Sequence, residues 1–280
     1  MGQFLRSWQG IVLLVIVLIA AGGGAAWWLT RPAPVVDPLA AFKQKGVIAV
    51  GVRLGAAPFS SIDDHHVIVG YEPDIAAALA SAIGVKAKLV AIDNTNALDF
   101  LRRGVVDVLI VPRTGADLRD PTIRLIEPGY YASGFNAVVL RGKSLHAWED
   151  LKSQPVCGLE GNPPAQQIIE ELGGNYIAFA DRATALEALM AERCVAFVSD
   201  EVALAEALKD DVDRRFTMAL DTIDVTPWTI GVRAADTALG DFIALKLADY
   251  HRTGFLLERA SSWQLPANPY LAAMRQYYSR

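Results

Sequence analysis

Short, mostly apolar runs alternate with stretches of helical periodicity along most of this 280-residue chain, and few folds accommodate that pattern. Val47 to Val52 is the first such run, Val85 to Ile92 the next strand and Val105 to Val111, apolar but for Asp107, the third. Between them, Asp63-Asp64-His65-His66 is a polar turn before Val67-Ile68-Val69. Asp74 opens a helix with Ile75, Leu79, Ala82 and Ile83 on one face and Gly84 at its stop, and Leu98 to Arg103 is a short helix ended by Gly104. Strands that are mostly apolar, separated by helices, imply a parallel sheet covered on both faces. From Val156 the pattern starts afresh: strands Val156 to Leu159, Tyr176 to Phe179 and Val195 to Val198, with helices Ala165 to Leu172, Ala183 to Glu192 and Val202 to Lys209. The expected fold class is α/β, a two-lobed clamshell with each lobe a mostly parallel sheet flanked by helices. Asn136 to Arg141 leads into the second lobe, and Thr229 to Arg233 returns before a long helix around Leu239 to Tyr250. The expected division is residues 44–135 and 234–280 for one lobe and 136–233 for the other.

The N-terminus stands apart. Arg6 precedes an uncharged run from Gly10 to Leu29, and Trp8, Trp27 and Trp28 flank it. Such a run is either a signal peptide cleaved near Gly24-Ala25-Ala26 or a single membrane crossing, for which about 20 apolar residues suffice. The tryptophans at both ends favour an anchor over residues 10–29, and the short basic N-terminal side leaves everything after Arg31 outside the cytoplasm. Three prolines in RPAPVVDP make residues 31–43 a spacer. The only cysteines, Cys157 and Cys194, match no zinc or redox spacing; both begin strands that this topology sets side by side, and in an oxidising compartment they are expected to form a disulfide. A formal charge of −5 with interspersed acids and bases provides no basic stripe for nucleic acid.

In open parallel sheets, ligands bind beyond the carboxyl ends of strands. After Val111 come Thr114 and Arg119, whose hydroxyl and planar guanidinium could converge on a carboxylate, or serve as a helix cap and a solvated charge. Val198 is followed by Ser199-Asp200-Glu201, where Asp200 suits either an ammonium or the cap of the next helix. Glu160-Gly161-Asn162 precedes a helix whose free N–H groups suit an anion, or is an ordinary strand-to-helix turn. His65, His66, His146 and His251 have no metal-ligand spacing, and no nucleophile elbow or phosphate loop is present, so neither a catalytic residue, a metal nor a cofactor is expected.

The segments GVRLGAAPFS (Gly51 to Ser60), VGYEPDIAAALA (Val69 to Ala80), NTNALDFLRRGVVDVLI (Asn94 to Ile110), RTGADLR (Arg113 to Arg119), PGYYASG (Pro128 to Gly134), ERCVAFVSDE (Glu192 to Glu201) and WTIGVR (Trp228 to Arg233) resemble, in order and spacing, the amino-acid-binding family of bacterial periplasmic solute-binding proteins. These are the capture subunits of ATP-driven (ABC) importers, and the resemblance implies a permease partner. It also implies that Arg119, Thr114 and the N–H groups near Gly161 and Asn162 hold an α-carboxylate. Asp200 then takes the α-ammonium, and Phe59 and Tyr71 shape the cleft. Arg53 resembles the GVRE-type opening of acidic-amino-acid binders, which points to a ligand with a second carboxylate; the other reading is an internal pair with Asp93 or Asp74. Ala116, Ala97 and Ala56 replace a threonine, an arginine and a stacking aromatic usual in the family. The competing functions are an anchored sensor of the same fold and a dehydratase using Glu160 as its acid.

Overall fold

A computed structural model describes residues 39–54, 57–93, 95–111, 120–209 and 211–280. The N-terminal anchor and the spacer up to residue 38, together with Ala56, Thr114, Ala116 and Arg119, lie outside the described residues. The chain from Ala41 to Arg280 forms one compact unit.

After a short helix α1 (Ala40–Lys45), the chain builds β1 (Val47–Arg53), the hairpin β2 (Ser61–Ile62) and β3 (Ile68–Val69), α2 (Tyr71–Ile83), β4 (Lys86–Ile92), α3 (Ala97–Arg102) and β5 (Val108–Val111). Then follow β6 (Ile123–Leu140), β7 (Pro155–Leu159), α4 (Pro163–Glu171), β8 (Asn175–Phe179), α5 (Arg182–Met190), β9 (Ala196–Asp200), α6 (Glu201–Lys209), β10 (Phe216–Met218) and β11 (Ile223–Arg233). The helices α7 (Thr237–Thr253), α8 (Phe255–Ser262) and α9 (Pro269–Tyr278) complete the unit. Helix α2 begins at Tyr71, before the aspartate expected to open it, because Pro73 falls in the first turn, where its missing N–H and fixed φ do no harm. It ends at Gly84 in the left-handed conformation.

One sheet path runs β4-β1-β5-β11-β6-β9-β7-β8, with β10 beside β6. Strands β4, β1 and β5 are mutually parallel, as are β9, β7 and β8, and the antiparallel pair β6/β11 joins the two sets. The first half of β6 faces the end of β11, while Phe135 to Val138 pair with β9. The crossing between lobes therefore lies inside these two long strands. Gly134 sits at this crossing, where a Cβ would stand 2.3 Å from the Ile223 carbonyl oxygen, so only glycine lets the strands approach.

Packing explains the parallel sets. Ile48, Val50, Val52, Ile75, Leu79, Leu109 and Ile110 are almost wholly buried, each stabilising the fold by about 1.5–3 kcal/mol relative to exposure. Gly51 leaves room for Leu109, whose Cδ2 would lie 2.9 Å from an added Cβ. The third apolar run enters the sheet only at Val108, because Asp107 within it is a buried carboxylate that must be compensated. It accepts from the Ala49 N–H at 2.9 Å and faces Arg233 at 3.6 Å and Lys45 at 3.7 Å. In the second lobe, Cys157 and Cys194 form a disulfide with Cα atoms 5.6 Å apart, inside the bridging range expected from the strand order.

Candidate functional site

The carboxyl ends of β5 and β9 meet the crossing strands from opposite sides. Val111 lies opposite Thr229 of β11, Trp228 of β11 lies opposite Tyr131 of β6, and Asp200 lies opposite Phe135 of β6. Four positions of β6, about 13 Å at strand rise, therefore span the gap between Tyr131 and the residue facing Asp200. A ligand seated over this segment would reach both lobes.

Asp200 ends β9 and is half-buried. Its Oδ1 accepts from the Val202 N–H at 2.9 Å and the Ala203 N–H at 3.4 Å, so the carboxylate caps α6. Both bonds fall on one oxygen, and among the described residues no hydrogen bond of good geometry reaches Oδ2, so capping does not by itself exclude a ligand ammonium. Burial raises the Asp200 carboxyl above the ordinary aspartate range, opposed by Ser133 and the two capping amides. The Ser133 hydroxyl is buried and close enough to favour the charged carboxylate, yet it makes no hydrogen bond of good geometry among the described residues. Thr229, opposite Val111, is another buried hydroxyl without a partner there. Two such groups at one crossing are unusual, since buried polar groups are nearly always satisfied. Neither was singled out from the sequence. Their signal was their position beside the landmark aromatics of PGYYASG and WTIGVR.

Those aromatics form the floor. Phe59 packs edge-on against Tyr71 at 5.9 Å and Tyr131 at 5.0 Å, and tilts against Trp228 at 4.8 Å. Phe59 and Tyr71 are both buried. The Tyr131 hydroxyl is pushed up to about 12, chiefly by burial and further by the charges of Glu201 and Asp200, and so remains a donor at neutral pH.

Arg53 ends β1, and its charge acts on Glu72 of α2. Glu72 is buried, with 1% of its surface exposed, and accepts from the Tyr130 hydroxyl at 2.6 Å. Burial pushes its carboxyl up to about 7, against the Tyr130 hydrogen bond and the Arg53 charge. The two acids expected from the sequence have hydrogen-bond partners of their own. Asp74 accepts from Trp263 Nε1 at 2.9 Å, and Asp93 takes the Thr95 hydroxyl and the Thr95 and Asn96 amides. Glu72 was missed because a single glutamate in a helical run reads as solvent-facing until the packing is known.

At the start of α4, Asn162 caps the helix through the Ala165 N–H at 3.4 Å. Gly161 is exposed with φ +72°, and open space surrounds its Cα, so its backbone is accessible to a ligand. Glu160 is exposed and donates its own N–H to Phe179 at 2.8 Å. Among the described residues, no group of His, Cys, Asp and Glu could hold a metal, and no helix is long and apolar enough to cross a membrane.

The family model for bacterial extracellular solute-binding proteins, family 3, matches residues 48–266. A glutamate/aspartate import solute-binding protein of Salmonella typhimurium is 26% identical over 174 residues, 58% of this chain and 57% of that protein. A lysine/arginine/ornithine-binding periplasmic protein of Escherichia coli is 27% identical over 177 residues, 61% of this chain and 68% of that protein. The chain thus spans less than two thirds of the first relative's length, 57%. Among solved structures, an ancestral arginine-binding protein bound to arginine has a TM-score of 0.61 at 24% identity, covering 78% of this chain and 98% of its own. An ancestral amino acid-binding protein, a precursor of cyclohexadienyl dehydratase, has a TM-score of 0.64 at 22% identity, covering 81% and 99%. These likenesses establish the two-lobed α/β fold of periplasmic binding proteins.

Proposed function

This chain belongs to the bacterial extracellular solute-binding proteins of family 3, and we propose that it captures a small amino-acid-like ligand outside the cytoplasm and presents it to an ABC-type importer. The observation that carries this reading is Asp200: a desolvated carboxylate at a strand's carboxyl end, with one oxygen committed to the α6 cap and the other without a hydrogen bond of good geometry among the described residues. A ligand ammonium is the natural partner of that oxygen. The ligand's carboxylate is assigned to Arg119, Thr114 and the Gly161 and Asn162 backbone, on the expectation drawn from the sequence. Placing the two charge partners on opposite lobes means that only a closed state satisfies both, so binding shifts the open-to-closed equilibrium by its differential contacts. The relatives are named for glutamate, aspartate, lysine, arginine and ornithine, all of which share the α-amino carboxylate that such a site would grip. The proposed action is binding without chemistry, with the lobes held at the outer face of the membrane by residues 10–29.

Calorimetry of the full-length chain against a panel of α-amino acids tests the reading. Binding to wild type that Arg119→Ala abolishes, with the unliganded melting temperature retained, is the expected result. Full affinity in that variant would remove Arg119 from the site, and no binding by any member of the panel would sink the amino-acid reading. N-terminal sequencing of the exported protein tests the anchor; a mature terminus near Trp27 would establish cleavage.

A further inference from the structure

In the second lobe, β7, β8 and β9 run parallel, and each leads at its carboxyl end into a helix, α4, α5 and α6 in turn. A helix start at such an edge ordinarily presents up to four unpaired N–H groups and a positive dipole end, which together suit an anion. The start of α4 has none to give. Its first two residues are Pro163 and Pro164, which carry no N–H. Of the two N–H groups that remain before the first intrahelical bond, that of Ala165 goes to Asn162 Oδ1 at 3.4 Å and that of Asn162 to the Leu159 carbonyl at 3.3 Å. Glu160, ahead of the turn, donates to the Phe179 carbonyl at 2.8 Å, and Gln166 closes the first helical turn on the Asn162 carbonyl at 3.2 Å. From Glu160 to Gln166, the Gly161 N–H alone is without an acceptor among the described residues. The other two helices start on carboxylates: Asp181 accepts from the Thr184 N–H at 2.8 Å at α5, and Asp200 caps α6. A carboxylate cap offsets the positive dipole end and repels an incoming anion.

We propose that Pro163 and Pro164 are specificity determinants: they strip the anion subsite from the start of α4, so that the second lobe reads the ligand through its ammonium, at Asp200, and not through its carboxylate. A carboxylate that reaches this lobe finds at most one N–H, that of Gly161. Holding it falls to the first lobe, and the attraction that draws the second lobe shut comes from the ligand's positive charge. The ligand class is therefore one with an ammonium to place on Asp200, whereas a carboxylic acid without an amine gains nothing from closure. This inference rests on the capture reading above and narrows it, because the Asn162 N–H assigned there to the carboxylate is already spent on Leu159.

Calorimetry of the full-length chain tests it. The probes are the α-amino acids of the panel above, glutamate and lysine among them, each beside its α-carboxamide, which keeps the ammonium and the side chain and removes the negative charge. Pro163→Ala with Pro164→Ala returns two N–H groups to the first turn of α4. An amino acid that binds wild type is expected to bind this variant about tenfold more tightly, the gain from one hydrogen bond to a charged group. Its carboxamide is expected to bind both proteins alike. Pro164→Ala alone keeps proline at the first helical position, where it is favoured, and restores one N–H; the gain should appear there too, which serves if the double variant folds poorly. An amino-acid affinity unchanged in both variants, or a gain that the carboxamide shares, overturns the proposal and leaves the capture reading standing. A panel in which no amino acid binds any of the three proteins sinks the capture reading and this proposal with it.

Discussion

The two lobes share a topology and differ in how they are held together. The second takes β7, α4, β8, α5 and β9 from one continuous stretch and ties it covalently through Cys157 and Cys194, 37 residues apart. The first is completed from far along the chain: Thr229 to Val232 pair with Val108 to Val111, and α7 and α9 pack against β6. It has no covalent tie among the described residues. Instead it holds a buried glutamate, a fully buried pair of tyrosines and a compensated buried aspartate. The comparison teaches that the second lobe should answer to redox conditions and the first to pH.

The largest expected effect comes from reducing the disulfide or replacing both cysteines by alanine. Opening a loop of this size should destabilise the second lobe by about 4 kcal/mol on the chain-entropy account. Hydrogen exchange followed by mass spectrometry should then show β7, β8 and α5 losing protection while β1 and β4 keep theirs; equal loss in both lobes would break the comparison.

Next comes pH. The Glu72 carboxyl rises from 4.5 to about 7 on folding, so the folded state binds a proton more tightly. Its contribution is fully present below about pH 4.5 and is lost as pH rises through about 7, a loss of about 3 kcal/mol. Urea denaturation of wild type and Glu72→Gln across this window should show the slope in the first and a flatter profile in the second. Parallel profiles would place the pH response of the first lobe elsewhere.

The smallest effect separates stability from binding at Asp200. Asparagine is as good a helix cap as aspartate, so Asp200→Asn should leave the melting temperature nearly unchanged. Loss of the charge should weaken an α-amino acid by about 1.5–3 kcal/mol, the usual strength of a hydrogen bond to a charged group. A variant that melts early but binds fully would make Asp200 a cap only.

Much of the scaffold was legible because its signals are local. Strands that are apolar on both faces, the glycine stop at Gly84 and the restart of the pattern at Val156 are each contained within a few residues. The reading fell short where a strand depends on its partner. Asn136 to Arg141 was read only as a lead into the second lobe, and the long strand before it was not expected. The neighbouring strand decides it: β6 runs 18 residues, and β11 pairs along it through two register shifts that absorb the irregularities. The α/β class, the two lobes and the strand-end position of Asp200 were thus determined by the sequence itself, because periodicity and turn chemistry act over windows shorter than one element; the family came from the resemblance of the quoted segments. The burial of Glu72 beneath Tyr130, 58 positions away, and that of the Ser133 and Thr229 hydroxyls without a partner of good geometry among the described residues, were decided only by tertiary structure. A side chain's solvation and charge depend on what packs against it, and those neighbours come from other elements of the chain.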